Sequence, residues 1–473
     1  MQVGTVLDAA PWRRPFVRPG LFTVGVAVIA AAIFLVGPFW TLLVAIAVPT
    51  TYAVYKRPQR GILILAAALP FDGILKQFGP GWTNPWKQVL ILGILLATFI
   101  CPKEARAQVR RRLPGWVPAF AVLLLLGLVS AAFVDLTTAL VGLRLSYFSI
   151  LLAIAIWRCP LDRRDRDQLV TVFVAMGFVT AVIGLWQQVV GYVYLNNLGY
   201  QYDTTIRFTD GLTLRSFSTF NLPFPFAYYL MLVVLIGLPF ALAEPKRLRS
   251  RLFLLSLPVL AVAMFFTFVR GAMLGLAIGL LYLAFHRYKI LVYGIPLVLV
   301  AALFIPSGAV LTNAAFSNTS LQARTTSWSQ RFHDFESHPF GSGIGTTGAA
   351  AEKVALEKNT DPNATYVPDS SWLKVMFELG VIGVWFFVAM LISMFLSTRS
   401  TERRVHGIDV DFVVAVSAQL LAIMTASFVA TYLELVPMDQ LFWIMIAIVA
   451  TMAPELPPRP AIEPHRDDIT APT

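Results

Sequence analysis

Apolar residues run along this chain in long uninterrupted stretches, separated by short polar segments that are mostly basic. The runs are about 17–22 residues long, and about 20 helical residues cross the hydrocarbon of a bilayer. They do not alternate apolar and polar positions, which leaves helices rather than a closed barrel as the way to satisfy the backbone in lipid. The predicted fold class is an all-α polytopic membrane protein. The stretch 21–55 is broken at Gly37-Pro38 and reads as a tight hairpin of two spans. Further spans are expected at 61–75, 87–101, 115–133, 139–157, 169–190, 222–243, 252–268, 272–286, 290–306, 371–396, 411–432 and 440–454, fourteen in all. Taking one early hairpin, 21–55 or 61–101, as non-crossing gives twelve.

The polar segments then fix an expected orientation. Arg13, Arg14 and Arg18 lie ahead of the first span; Lys56, Arg57 and Arg60, then Lys103 to Arg112, Arg158 to Arg166, Lys246 to Arg251, Arg287 with Lys289, and Arg399 to Arg404 fall at alternate turns. Lysine and arginine collect on the cytoplasmic side, so both termini are expected inside. The expected organisation is a cytoplasmic segment 1–20, spans one to eleven over 21–306, a large periplasmic loop 307–371 with amphipathic helices, spans twelve to fourteen over 371–454, and a Pro-rich cytoplasmic tail 455–473. Composition agrees: 57% of residues are hydrophobic, 13% are charged, and mean hydropathy is +0.71. The net charge of +11 is accounted for by these inner loops and gives no reason to expect a nucleic-acid partner. Two cysteines, Cys101 and Cys159, both at expected inner helix ends, make neither a disulfide nor a metal site.

Chemistry is sought where charge opposes this orientation. Arg207 and Arg215 precede the span at 222, Arg270 sits at the tip of a helix hairpin in FVRGAMLGL, and Arg324 and Arg331 lie in the long loop. A planar guanidinium fork suits phosphate oxygens better than the point charge of lysine. Outward arginines therefore point to an anionic lipid head or a diphosphate, against the plainer reading of interfacial side chains. Arg144 and Lys374 read as anchors of helix ends. Arg324, Trp328, Arg331, Phe332 and Phe335 recur at helical spacing, as an amphipathic helix does. The run Gly341-Ser342-Gly343-Ile344-Gly345 follows no strand and has no Lys-Ser/Thr after it, so it reads as a turn rather than a phosphate loop. Asp369, just before the span at 371, is placed either to accept a proton from a sugar hydroxyl or to cap the helix. Glu378, one to two turns inside that span, needs a partner such as an arginine. His333 and His338 read as loop histidines, with His338 a supporting candidate. No cluster has metal-ligand spacing, so no metal and no cofactor is expected.

These pieces, in this order, resemble the O-antigen ligase/polymerase superfamily (the Wzy/WaaL type). The likeness lies over about 205–395: Arg215-Ser-Phe-Ser-Thr-Phe-Asn, Val-Arg270-Gly-Ala-Met-Leu, Arg324 with Trp328, His338-Pro-Phe-Gly-Ser-Gly-Ile-Gly, and Asp369-Ser-Ser-Trp-Leu ending in Glu378-Leu-Gly. The first 200 residues match only as generic spans. The resemblance implies a multi-span glycosyltransferase fold of GT-C type and an inverting, metal-independent transfer from an undecaprenyl-diphosphate-linked glycan. The reaction would take place on the periplasmic face of the bacterial inner membrane. It implies that Arg215 and Arg270 hold the diphosphate and stabilise it as it leaves, with Arg207, Arg324 and Arg331 as further anion contacts. Ligases of the family carry a histidine where this chain has Asp369. An acidic residue there is more like its polymerases, with Asp369 as the base.

Three readings follow. The first is a polymerase joining lipid-linked repeat units into O-antigen or exopolysaccharide, with a chain-length regulator as partner. The second keeps the chemistry and changes the acceptor to lipid A-core or a protein. The third is a transporter or flippase of the lipid-linked glycan, which should place charge at the bilayer midplane and carry paired broken helices.

Overall fold

The computed structural model describes residues 38–100, 113–200, 214–292, 339–359, 366, 368 and 370–452. The described helices are α1 (Pro38–Lys56), α2 (Pro58–Ala68), α3 (Asp72–Phe78), α4 (Trp86–Ile100), α5 (Val117–Ser130), α6 (Leu136–Tyr147), α7 (Ile150–Arg158) and α8 (Arg163–Asn197). They continue with α9 (Pro223–Ala243), α10 (Leu248–Phe265), α11 (Arg270–His286), α12 (Gly348–Glu357), α13 (Ser371–Glu402), α14 (Ile408–Ala426) and α15 (Met438–Thr451). No β-strand occurs among the described residues. The all-α polytopic class stands. Seven helical stretches are long and apolar enough to cross a membrane, and the bent pair α6–α7 makes an eighth. Three shorter apolar helices, at Val117–Phe133, Arg270–His286 and Met438–Thr451, stand beside them. The expected first span and all but the first three residues of the span at 290–306 lie outside the described residues, so the count of fourteen or twelve stays an expectation.

The chain divides into a short unit, residues 1–53, and a large one, residues 54–473. In the short unit, α1 begins at Pro38, where the hairpin was expected to turn, and carries Pro49 inside. Its Ile46, Val48 and Tyr52 are exposed, as residues facing lipid are.

In the large unit, α9, α14 and α15 are buried almost all round, with Tyr228, Tyr229, Phe412 and Ile444 among their covered side chains. The surrounding helices keep one face on them and turn another outward, with Val189, Leu255, Phe285 and Trp385 more than two-thirds exposed. Such apolar exposure is unfavourable in water and neutral in lipid. Lipid gives no hydrophobic drive between helices, so close approach of small residues matters. On α11, Gly271, Gly275 and Gly279 form one stripe. A Cβ on Gly275 would come within 2.8 Å of Met231 Sδ and 2.9 Å of the Ala422 carbonyl oxygen.

Two sets of helix ends are tied in different ways. At one, ion pairs join neighbours: Arg57 to Asp162 and Asp165 at 3.2 Å each, Arg166 to Asp409 at 2.8 Å, Arg249 to Asp167 at 2.8 Å, and Arg287 to Asp411 at 2.9 Å. α8 opens there with a reciprocal cap between Asp162 and Asp165. At the other end the ties are mostly hydrogen bonds to loop carbonyls. Thr219 Oγ1 donates to Pro70 O at 2.6 Å, Ser216 N to Phe266 O at 2.8 Å, and Ser371 N to Ser427 O at 2.9 Å.

The glycine contrast is testable by thermal unfolding in lipid nanodiscs. Gly275→Val forces Met231 and the α14 backbone apart and is expected to destabilise by about 1–3 kcal/mol. Gly93→Ala, where an added Cβ meets nothing within 4 Å, is expected to be neutral or to stabilise. Equal effects would show that α11 and α14 do not pack this closely.

Candidate functional site

The segment Arg215–Phe220 is polar and yet mostly buried, and α8 holds it. Gln187 Oε1 accepts from Phe217 N at 3.2 Å and Ser218 N at 2.7 Å, and its Nε2 donates to Ser218 O at 2.8 Å. Gln188 Nε2 donates to Leu214 O and to Ser216 Oγ, both at 2.9 Å. Ser216 and Ser218 in turn donate to the carbonyls of Gly184 and Thr180. All but the Gln188–Ser216 bond serve a backbone group that would otherwise be stranded away from water. Ser218 adopts a left-handed φ of 53° within this frame.

The frame fixes Arg215. Its Nε donates to Thr267 O at 3.0 Å, and its guanidinium lies 4.9 Å from the centre of the Phe224 ring. Burial lowers its pKa to about 10, so it remains cationic at neutral pH. Thr267 belongs to the turn that leads through Phe268, with φ 54°, into Arg270, the exposed first residue of α11. Arg215 is thus hydrogen-bonded to the loop that presents Arg270. The next residue, Gly271, abuts Val429 and the Tyr228 hydroxyl. Val429 lies in the loop that receives the start of α13: Ser370 Oγ donates to Ser427 O at 3.2 Å, and Ser371 Oγ to Ala430 O at 3.0 Å. The residues flanking Asp369 on its C-terminal side therefore share a loop with the residue after Arg270. Asp369 itself, with Arg207, Arg324, Arg331, His333 and His338, lies outside the described residues.

Glu378 finds its partner in Lys374, not in an arginine. Lys374 Nζ is 2.5 Å from Glu378 Oε2 and 3.0 Å from Glu434 Oε1, with all three side chains at most 7% exposed. The expectation that Lys374 only anchors a helix end is corrected: it is a buried cation between two buried carboxylates. Burial pushes Glu434 above the usual carboxylate range; Lys374 opposes this and Glu378 adds to it. With a proton on Glu434, the three groups carry no net charge, as a low-dielectric site requires.

The same glutamate organises the glycine-rich run. α13 breaks at Gly380, whose φ is 69° and ψ −168°. The break frees carbonyls one turn earlier, and the run supplies donors: Ser342 N to Phe377 O at 2.7 Å and Gly343 N to Glu378 O at 3.1 Å. Glu378 Oε1 then accepts from Gly345 N at 3.1 Å, Thr347 N at 3.3 Å and Thr347 Oγ1 at 3.1 Å. The run is a turn, as expected, wrapped on a broken helix. Beside it lies a cavity of about 90 Å³, lined by Tyr147, Ser371, Lys374, Glu378, Glu434 and Trp443 among others.

Residues that chain order does not connect also matter. Gln187 and Gln188 signal themselves only as adjacent amides in an apolar run. The spacing of Lys374 and Glu378 suits an i,i+4 pair, whereas nothing in the sequence ties Glu434 to either.

A bundle of apolar helices that buries charged groups at one set of helix ends and presents arginines there defines a membrane protein with a polar site at one end. Residues 252–388 match the family model described as O-antigen ligase. This match, over 137 of the 473 residues, supports the O-antigen ligase/polymerase superfamily. The match runs from α10 into α13 and takes in Arg270, the glycine-rich run, Lys374 and Glu378; Arg215 and Glu434 lie outside it. No curated protein matches the chain.

Two substitutions test the buried triad. Lys374→Ala removes the cation that Glu378 and Glu434 share in a buried site, which costs about 3–5 kcal/mol and should appear as a lower unfolding midpoint. Glu434→Gln mimics the protonated acid. Because the folded pKa lies above the ordinary 4.5, the native penalty is absent below that value and grows as pH rises. The variant should therefore gain stability over the native chain as pH rises above the ordinary carboxylate range. A difference that does not change with pH would contradict this.

Proposed function

We propose that this chain is a polysaccharide polymerase acting on undecaprenyl-diphosphate-linked repeat units at the periplasmic face of the bacterial inner membrane. The observation that carries the proposal is the bond from Arg215 to Thr267, which joins two cations to one turn inside and beside the matched family region. A compartment without nucleoside triphosphate must draw its energy from the donor, and the glycosyl–diphosphate bond supplies it. The acceptor hydroxyl oxygen attacks the anomeric carbon from the face opposite the diphosphate, and the configuration inverts. The carbon–oxygen bond to the diphosphate breaks, and its electron pair stays on the leaving oxygen. Arg215 and Arg270 bind that growing charge, a contribution largest in a fixed, partly desolvated setting. Asp369 takes the hydroxyl proton.

Arg215 suits this role because its bond to a backbone carbonyl and its stack on Phe224 hold it before substrate arrives. Arg270 suits it because it stands exposed at the start of a helix, where the macrodipole also favours an anion. Glu378 and Lys374 position rather than react: they fix α13 just beyond Asp369.

The assay supplies purified protein in lipid with a lipid-linked repeat unit and no other acceptor. The native chain should give a ladder of multimers on a gel. Arg270→Ala and Asp369→Ala should each lower its yield by about 10²-fold or more, the usual cost of removing one charge-stabilising or proton-transfer group. Transfer only after lipid A-core or a protein acceptor is added would make the chain a ligase. Movement of the donor between leaflets with no product would make it a transporter.

A further inference from the structure

The ion-paired helix ends enclose a cavity of about 330 Å³ that the proposed transfer does not use. It lies among the start of α8, the end of α9, the start of α14 and Arg247, the residue before α10. Arg163, Arg164 and Arg166 of α8 line it together with Arg247. Phe240, Ile408 and Phe412 give it an apolar wall, and the two phenylalanine rings meet edge to face at 6.2 Å.

The charges there do not cancel. Four arginines and two aspartates, Asp167 and Asp409, line the cavity, a surplus of two positive charges. Arg166 Nη2 donates to Asp409 Oδ1 at 2.8 Å and its Nη1 to Leu161 O at 2.8 Å, while its Nε is buried with no partner among the described residues. One oxygen of Asp167 accepts from both Arg247 at 2.9 Å and Arg249 at 2.8 Å. Asp162 and Asp165 pair with Arg57 and do not line the cavity. Arg163 and Arg164 are exposed and enter no ion pair among the described residues. The paired arginines build the wall, and the two unpaired ones carry the surplus.

The position of the cavity limits what can fill it. Gln187, which frames the Arg215 segment, follows Arg163 by twenty-four residues of unbroken helix, a rise of about 36 Å. The hydrocarbon of a bilayer is about 30 Å thick, so the cavity and the Arg215 segment face opposite leaflets. We propose that this cavity holds the headgroup of an anionic phospholipid from the leaflet opposite the arginine pair. Guanidinium forks suit its phosphate oxygens, and basic pockets between helix ends take such headgroups. The apolar wall suits the glycerol and the first acyl carbons, which a free phosphate lacks. A headgroup with two phosphates matches the surplus of charge. Once bound, it braces α8 and α14, whose far ends hold the Arg215 segment and the loop at Ser427. The inference does not depend on the polymerase reading.

The test uses the full chain, stripped of lipid in detergent and titrated with cardiolipin, with bound equivalents counted by native mass spectrometry. The native chain should retain one cardiolipin under conditions where phosphatidylcholine is lost. Arg163→Gln and Arg164→Gln should each weaken it roughly fivefold, and the two together about 30-fold. Arg403→Gln with Arg404→Gln removes the same charge from exposed residues at these helix ends, outside the cavity, and should leave binding unchanged. Cardiolipin should also raise the unfolding midpoint of the native chain and not that of the Arg163/Arg164 variant, since a ligand of the folded state stabilises it. Equal weakening in the two double variants overturns the proposal, because binding then follows overall charge. Equal retention of phosphatidylcholine overturns it as well. Displacement of cardiolipin by inorganic phosphate would assign the cavity to a soluble anion, and displacement by an equal amount of undecaprenyl diphosphate would assign it to the lipid carrier; either result overturns the phospholipid assignment.

Discussion

One buried ammonium group holds the functional end of this protein together. Lys374 sits between Glu378, on its own helix, and Glu434, on the turn before α15. Through Glu378 it reaches the glycine-rich run, whose amides close the break at Gly380. Remove the lysine and three elements lose their common partner: the start of α13, the wrapped loop, and the turn at Tyr432–Glu434. A broken helix inside a membrane is tolerated only where other groups satisfy the freed backbone, and here the loop does so.

The break has a second consequence. It shortens the straight part of α13 that carries Ser371 to Glu378 and pins its first residues to the loop at Ser427 and Ala430. That loop touches Gly271, and Gly271 follows Arg270. The stability of the triad is thus passed to the residues on which the proposed transfer depends, without any of the three buried groups touching the glycan. The far ends of the helices are built differently. Exposed and half-exposed ion pairs such as Arg57–Asp162 and Arg247–Asp167 join them, interactions worth little each but sufficient to set neighbours.

Much of this was legible in the sequence, for specific reasons. Helix existence followed from run length, since lipid demands it. Arg215 and Arg270 stood out because their sign opposes the orientation of the loops, and the structure joins their segments through Thr267. Lys374 was misjudged, because position near a helix start suggests an interfacial anchor, whereas burial depends on what packs over it. Glu434 gave no local sign at all: its partners lie on another helix. Helix breaks were partly visible, as at Gly37-Pro38, and partly not. The 48° bend between α6 and α7, at Phe148–Ser149, has no proline or glycine within five residues to announce it.

The central claim is that Arg215, Arg270 and Asp369 converge on one lipid diphosphate. The most direct measurement is photo-crosslinking with an undecaprenyl diphosphate analogue that carries a photoreactive group at its terminal phosphate, followed by peptide mapping. The account predicts adducts on the peptides that hold Arg215, Arg270 and Asp369, all lost together when unlabelled lipid diphosphate competes. Competable adducts on only one of these peptides, or on the helix ends lined by Arg57, Arg166 and Arg287, would contradict it.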